Sequence, residues 1–266
     1  MGADTKALKI RIKSVDSTLH LTKAMGLVAS SKIRRATDAM LKGREYAEAV
    51  ENILGLLTGN NECKKSPFMR KNGSEKQLII VVAGDRGMAG GYNANVFKSA
   101  KEFPDAEILP IGKRACDKFG SGYMSAEGFS SADAVELSER LCSEYISGKY
   151  GKIGIISTEY ISMLSQEAKI KWLLPLEDSP VSKASITFEP DEATILKTAV
   201  AEYISGIVYS LVKESFACEV AARRTAMDSA GKNAQQMIDE LQLKYNRARQ
   251  GAITQEITEI VAGAGN

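Results

Sequence analysis

A glycine-rich segment that follows an apolar run is the first place in this chain where chemistry could reside. Residues 78–83 (LIIVVA) are continuously apolar and rich in β-branched side chains, which is typical of a strand buried on both faces. Residues 84–93 (GDRGMAGGYN) come next, and a helix is predicted from about residue 93 to 103. A strand, a glycine-rich turn and a helix in this order bind phosphates in dinucleotide-binding folds. Nucleotide binding is therefore one interpretation of this segment.

The spacing of the glycines favours a different interpretation. Glycines at 84, 87, 90 and 91 do not match GxGxxG, and no GK followed by Ser or Thr completes a P-loop. A tight turn that lets the strand and the helix pack closely explains the glycines better. Nucleotide binding by an α/β enzyme with helical extensions stays as the alternative.

Other residue types that carry chemistry are sparse or scattered. Cys63, Cys116, Cys142 and Cys218 form no CxxC pair, and His20 is the only histidine, which argues against a zinc site, a disulfide framework or a histidine-based triad. No nucleophile, base and oxyanion site fall into a recognisable pattern. The sequence therefore predicts no catalytic, cofactor-binding or metal-binding residues, and a chain that is not an enzyme by itself.

The elements around the glycine-rich segment predict an α/β fold. Strands alternate with helices, which is typical of a mostly parallel sheet with right-handed crossovers. Strands are predicted at residues 78–83, 107–111, 152–158 and 168–174, and helices at 93–103, 113–119 and 132–147. A polar loop is predicted at 62–76 and a proline-punctuated connection at 175–190.

The two ends of the chain carry long seven-residue repeats without proline. From Leu8 to Leu57, steps of four and three land on apolar or small residues, and the same is true from Ala217 to Ala252 with Arg224 as one charged exception. Such repeats keep one seam against a partner helix. We expect an antiparallel coiled coil of the N- and C-terminal helices with an inserted Rossmann-like α/β domain; two amphipathic helices on an ordinary core are the alternative. The predicted domains are 1–60, a loop at 61–76, the α/β domain at 77–190 and the C-terminal helix at 191–266.

The hydropathy of the chain indicates the kind of compartment in which it resides, and its charge distribution suggests a kind of partner. No run of eighteen apolar residues occurs, so we expect no membrane span, and the charged N-terminus lacks the apolar core of a signal peptide. The first helix is rich in Lys and Arg up to Arg44, which is typical of a surface that binds nucleic acid or an acidic protein. A solvated basic face and a nucleic-acid-binding coiled coil both remain open on this pattern alone.

Several motifs resemble the gamma subunit of F-type ATP synthases over essentially the whole chain. They are IRIKSV at 10–15, TKAM at 22–25, VASSK at 28–32, GDRG at 84–87 with GGYN at 90–93, AAR at 221–223, ELQLKYNRARQ at 240–250 and ITQEITEIV at 253–261. The resemblance implies a central rotor shaft whose coiled coil stands inside a ring of three alpha and three beta subunits. It implies a base on the membrane c-ring beside the epsilon subunit, coupling of proton or sodium flow to ATP synthesis, and no direct binding of nucleotide or nucleic acid.

The resemblance also implies roles for individual residues. Lys23 and Met25 would face the catalytic subunits, as would Arg223, Gln250 and Thr254. Four apolar residues of the C-terminal tip would sit in an apolar sleeve: Ile253, Ile257, Ile260 and Val261. Ile186, Phe188 and Glu189 would meet the c-ring, on a short match. The chain has no counterpart of the regulatory cysteine pair of the chloroplast type, so we expect no thiol control. The absence of a targeting peptide favours a bacterial protein on the cytoplasmic face of the membrane, with a mature organellar protein as the alternative.

Overall fold

The computed structural model describes residues 3–59, 63–120, 125–177 and 191–263. Its fold is mixed α/β, with a very long helix near each end and a small sheet between them in sequence. The helices are α1 (Ala3–Thr58), α2 (Tyr92–Ala100), α3 (Lys113–Phe119), α4 (Ser131–Ile146) and α5 (Glu192–Gly263), and the strands are β1 (Gln77–Val82), β2 (Glu107–Ile111), β3 (Lys152–Tyr160) and β4 (Gln166–Leu174). Two short 3-10 helices, Cys63–Lys65 and Pro67–Met69, lie where the sequence predicts a loop.

The sheet has the strand order β2-β1-β3-β4. β1 pairs in parallel with β2 and with β3, so that Ile80 lies opposite Leu109 on one side and Ile155 on the other. β4 runs antiparallel to β3 along the edge. The prediction of a mostly parallel sheet is therefore confirmed.

Both faces of the sheet are covered, as the apolar run of β1 predicts. Because successive strand residues point to opposite faces, Leu78, Ile80 and Val82 belong to a cluster that includes residues of α4 and α5. Ile79 and Val81 belong to a second cluster with residues of α2 and α3. All five side chains are buried. β1 is thus the centre of the core, and the turn that follows it is held from both sides.

The helix starts follow from local side-chain chemistry. Ser130 caps α4 and forms a capping box with Asp133, in which each side chain binds the backbone N–H of the other residue. Asp191 accepts the backbone N–H of Thr194 at 2.9 Å and its hydroxyl at 2.8 Å, and so fixes the start of α5 close to the predicted position.

The chain divides into two compact units, one made of residues 1–30 and 224–266 and the other of residues 31–223. In the first unit, Leu19 of α1 forms an apolar cluster with Ala234 and Ile238 of α5. A Cβ at Gly26 would lie 3.7 Å from the Cβ of Met227, which shows how closely the two backbones approach. The predicted domain boundaries stay a prediction beside this division.

The predicted seams coincide with buried surface. Each predicted seam position of α1 from Leu8 to Leu57 is buried or partly buried. On α5 the same is true from Ala217 to Ala252 with one exception, because Arg224 is exposed and its neighbour Arg223 is buried instead. The repeat thus identified the packed face of each helix, and the charged exception marks a position that faces solvent.

One stretch of α5 is long and apolar enough to cross a membrane by length and composition alone. Within that stretch 56% of the residues are buried inside the protein. The buried apolar residues of α5 between Leu196 and Val212 belong to the apolar cluster that contains residues of the sheet.

Candidate functional site

The glycine-rich turn, residues 84–91, lies at the carboxyl end of β1. The backbone N–H of Gly84 donates to Oδ1 of Asn93 at 2.9 Å, which ties the start of the turn to α2. Met88 adopts a φ of 59° although it is not glycine, and 61% of it is exposed. The turn is therefore held to α2 by a hydrogen bond at its start, and it exposes the apolar side chain of Met88 to solvent.

Asp85 holds the turn to the two segments that lie beside it. Its Oδ1 accepts the backbone N–H of Lys113 at 3.1 Å and of Ala126 at 3.2 Å. Its Oδ2 accepts the Ser125 hydroxyl at 2.8 Å and the backbone N–H of Glu127 at 2.9 Å. Burial alone would raise the pKa of Asp85, but these hydrogen bonds outweigh it and hold the pKa below its ordinary value. An ionised carboxylate with so many donors is a structural anchor.

Glu219 and Arg223 join the same turn to α5. The backbone N–H of Arg86 donates to Oε1 of Glu219 at 3.3 Å, and the guanidinium of Arg223 forms an ion pair with that oxygen. Nε of Arg223 also donates to the carbonyl of Gly87 at 3.2 Å. Glu219 is only 1% exposed and Arg223 9%. Two charges that are seldom buried are thus enclosed as a hydrogen-bonded pair.

Polar contacts of α5 continue along the sheet edge next to this pair. The hydroxyl of Ser215 accepts a hydrogen bond from the backbone N–H of Thr158 at 2.9 Å. The backbone carbonyl of Ser215 accepts one from the Tyr92 hydroxyl at 3.0 Å. Glu214 accepts the backbone N–H of Tyr160 at 2.7 Å and pairs with Arg44 of α1. Because β1 and β3 are parallel, their carboxyl ends share one edge. α5 is therefore fixed by side chains to the ends of both central strands.

The first long helix reaches the turn through Glu127. Lys32 of α1 forms an ion pair with the Glu127 carboxylate, and Arg86 of the turn lies 3.7 Å from its other oxygen. The backbone N–H of Glu127 binds Asp85. The glycine-rich turn is thus linked to α1 on one side and to α5 on the other.

This arrangement is suited to packing rather than to phosphate binding. A phosphate cradle needs backbone N–H groups that point at the ligand. Here the N–H groups of Gly84 and Arg86 are occupied by Asn93 and Glu219, and the carboxylates of Asp85 and Glu219 would repel an anion. The geometry favours the tight-turn interpretation over the nucleotide alternative. Among the described residues, no three His, Cys, Asp or Glu side chains are grouped as a metal site.

The residues that the sequence predicts as contacts fall into three groups. Lys23, Gln250 and Thr254 are exposed and Met25 is half-buried, all in the unit made of residues 1–30 and 224–266. Arg223 belongs to the other unit, where 11% of its side chain is exposed, so its role as an outward contact stays a prediction. The four tip residues are between 47% and 70% exposed: Ile253, Ile257, Ile260 and Val261. Ile186, Phe188 and Glu189 lie outside the described residues.

Sequence reasoning missed Glu214 and Glu219. Both interrupt an otherwise apolar stretch of α5, and Glu219 stands four residues before an arginine, a spacing that brings two helical side chains together. Those two facts could have identified a buried ion pair. The partners that the rest of the fold brings to them could not be identified from the spacing: Arg44 and the backbone of Tyr160 for Glu214, and the backbone of Arg86 for Glu219.

Comparison with known proteins gives matches over nearly the whole chain. Residues 4–265 match the protein family described as ATP synthase. The ATP synthase gamma chain of Ruminococcus albus is 38% identical over 283 residues, which cover 99% of each chain. The gamma chain of Clostridium novyi is 34% identical over 279 residues, covering 99% of this chain and 98% of that one. A sodium ion specific gamma chain of Acetobacterium woodii is 35% identical over 298 residues, covering 99% of each.

Solved structures agree on the fold. A chain of the Euglena gracilis mitochondrial ATP synthase has a TM-score of 0.72 at 19% identity, covering 98% of this chain and 94% of that chain. A chain in the central stalk and c-ring structure of the Tetrahymena thermophila mitochondrial enzyme has a TM-score of 0.62 at 20% identity, covering 79% of this chain and 99% of that chain. Full-length identity above 30% to several gamma chains, with this fold, establishes that the chain belongs to the ATP synthase gamma chain family.

Proposed function

We propose that this chain is the central rotor shaft of an F-type ATP synthase, and that it couples ion flow through a membrane c-ring to ATP synthesis or hydrolysis in a ring of alpha and beta subunits. One observation carries the proposal: a member of the gamma chain family combines two helices of 56 and 72 residues with a small α/β sheet whose central turn is linked to both helices. The chain contributes mechanical coupling, and the catalytic sites belong to its partners.

The shaft itself is an antiparallel coiled coil in this proposal. The heptad seams and their burial support it, as does the order of contacts within one unit, where Leu19 and Thr22 lie beside Gly231 while Gly26 lies beside Met227. Residue numbers rise on one helix as they fall on the other, which is the signature of antiparallel packing. Gly26 and Gly231 let the helices approach closely at these positions.

The proposed contact surface with the catalytic subunits contains Lys23, Met25, Gln250 and Thr254. Exposure on the helices supports it: Lys23, Gln250 and Thr254 are accessible, and the Thr254 hydroxyl donates at 2.9 Å to the carbonyl of Gln250. Arg223 is the further member of the proposed surface, with 11% of its side chain exposed. The exposed apolar tip would be covered by the apolar sleeve of the ring.

The base would face the c-ring through residues 186, 188 and 189 and would carry an epsilon subunit beside it. The complex would then place this chain as a peripheral protein of the cytoplasmic membrane face, which agrees with the bacterial sources of the gamma chains named above. A mature organellar chain is the alternative. The relative from Acetobacterium woodii is named as sodium ion specific, so proton and sodium are both candidate driving ions.

Co-purification tests the proposed function. The tagged chain is expressed with its cognate alpha and beta subunits, and the complex is isolated through the tag. The expected result is an assembly with three alpha and three beta subunits per tagged chain that hydrolyses ATP, while the purified chain alone hydrolyses none. A chain that never retains alpha and beta, or that turns over ATP free of other subunits, would contradict the proposal.

A further inference from the structure

We propose that Glu219 is a positioning residue for torque transfer, because it locks the glycine-rich turn to α5 so that sheet and helix turn as one body. The inference rests on the proposed rotor function and deepens it, since it assigns a mechanical role to the glycine-rich segment. The chain itself remains non-catalytic. Glu219 acts through the turn and through Arg223.

Two contacts converge on one oxygen of Glu219. Oε1 of Glu219 receives the backbone N–H of Arg86 and the guanidinium of Arg223, and Arg223 in turn reaches the carbonyl of Gly87. Arg86 and Gly87 of the glycine-rich turn are therefore bonded to Glu219 and Arg223, which lie four residues apart on α5. A single helical contact would leave the helix free to pivot, whereas this pair fixes its rotation about its own axis.

The shape of the turn at Gly84 also fits the Glu219 carboxylate. A Cβ at this position would lie 2.6 Å from Cδ of Glu219 and 2.9 Å from each carboxylate oxygen. The backbone of Gly84 does not have the positive φ that favours glycine, so the conformation does not require this residue type. Glycine is needed here because the Glu219 carboxylate occupies the space of a side chain. The turn and the carboxylate are therefore complementary in shape.

Charged contacts also link the turn to the other long helix. Arg86 lies beside Glu127, and Glu127 pairs with Lys32 of α1. Asp85 binds the backbone of Glu127 and of Lys113, so the turn, the loop and the start of α3 are one hydrogen-bonded body. A force on α5 at Glu219 thus reaches α1 and the sheet through charged contacts.

The polar contacts of Glu219 matter at this place because hydrogen bonds are directional. Apolar packing is non-directional and permits small sliding, whereas charge-assisted hydrogen bonds fix geometry. The stretch of α5 before this point is held mostly by apolar contacts with the sheet. Glu214, Ser215 and Glu219 add the directional contacts that such packing lacks.

Coupling in the assembled complex tests the inference. Wild-type and Glu219→Gln complexes, with the c-ring sector, are reconstituted in lipid vesicles, and the number of ions transported per ATP hydrolysed is measured. Glutamine keeps the shape and removes the charge, so we expect the ratio to fall at least twofold while hydrolysis persists. The matched control is Asp228→Asn, which breaks an exposed ion pair of the same spacing with Lys232 on the same helix and should leave the ratio unchanged.

A double-mutant cycle separates a lock from general damage. Gly84→Ala alone should lower the ratio because it displaces Glu219, and Glu219→Ala alone should lower it because the ties are lost. In the Glu219→Ala background, Gly84→Ala should have no further effect. The inference would be overturned if assembled Glu219→Gln complexes transported as many ions per ATP as the wild type. It would also be overturned if the losses caused by Gly84→Ala and Glu219→Ala were additive. If Glu219→Gln does not assemble, the double-mutant cycle alone decides. Failure of the wild-type chain itself to assemble would instead remove the rotor function, and the inference with it.

Discussion

Glu219 and Arg223 stand one helical turn apart on α5, a spacing that on most helix surfaces stabilises a protein by a few tenths of a kcal/mol. Here both residues are buried, and the surroundings change what the pair does. Removal of one partner of a buried pair leaves an uncompensated charge, which is strongly destabilising. The same pair therefore makes the turn rigid and makes each partner hard to replace.

Arg223→Ala should lower the stability of the chain by roughly 3–5 kcal/mol, because it leaves the Glu219 carboxylate buried without its counter-ion. Denaturant unfolding of the purified chain measures the change. Arg224→Ala is the matched control, since Arg224 is the next residue and is exposed; it should change stability by about 0.5 kcal/mol or less. Equal effects of the two replacements would show that the buried pair stabilises nothing.

Asp85→Asn should weaken the chain at neutral pH but not at low pH. The folded protein holds the pKa of Asp85 below its unfolded value of about 4. Its stabilisation is therefore fully present above about pH 4 and is lost as the pH falls through the lower, folded pKa. We expect a difference of about 1.5 kcal/mol at pH 7 that shrinks below pH 4. A difference that is constant from pH 7 to pH 3 would contradict the assignment of an ionised, hydrogen-bonded carboxylate.

Gln250→Ala should leave the complex assembled and slow its ATP turnover. The side chain is exposed, so its removal should cost the chain little, whereas a lost hydrogen bond to a beta subunit of about 1 kcal/mol would slow a step roughly fivefold. Hydrolysis by complexes of normal subunit composition measures the effect. Gln255→Ala is the control, because this exposed glutamine bonds within the helix to Glu259. Wild-type turnover of Gln250→Ala would remove Gln250 from the proposed contact surface.

At the scale of elements, periodicity was a sufficient guide to much of the fold. The continuous apolar run at residues 78–83 predicted a strand buried on both faces, and β1 is the centre of the sheet. The heptad positions predicted which faces of α1 and α5 are buried. These features are local in sequence, because the side-chain pattern of an element depends on where its own faces lie.

The polar contacts between α5 and the glycine-rich turn could not be predicted in the same way. The partners of Glu219 are Arg86 and, through its steric fit, Gly84, which lie about 130 residues earlier in the chain. Nothing in the spacing of the glycines specifies a carboxylate as the group that fills the turn. A buried acid within an apolar helix was the available signal, and its partner could be found only once the strand ends and the helix were placed together.

Ala234→Leu should destabilise the chain by about 1–3 kcal/mol through overpacking, because Ala234 is 7% exposed and packs with Leu19 and Ile238. Thermal unfolding followed by circular dichroism measures the loss. Ala24→Leu is the control at an exposed position of α1 and should be close to neutral. If both replacements were equally tolerated, the close approach of the two helices at Ala234 would be wrong.

At the scale of the whole molecule, the chain divides its tasks between segments. The sheet and its glycine-rich turn hold both long helices, and the exposed positions toward the C-terminal end of α5 supply the proposed contacts with the catalytic ring. No part of this division requires an active site in the chain. A shaft needs rigidity where force passes through it and accessible side chains where the ring presses on it.

Rotation of the chain within the catalytic ring tests the central claim most directly. The ring is assembled from cognate alpha and beta subunits with this chain and fixed to a surface, and a bead is attached through a cysteine introduced on the exposed face of α4. On addition of ATP we expect the bead to turn in one direction, with one major step for each beta subunit. Steady ATP hydrolysis by the assembled ring with a bead that stays still or turns in random directions would contradict it.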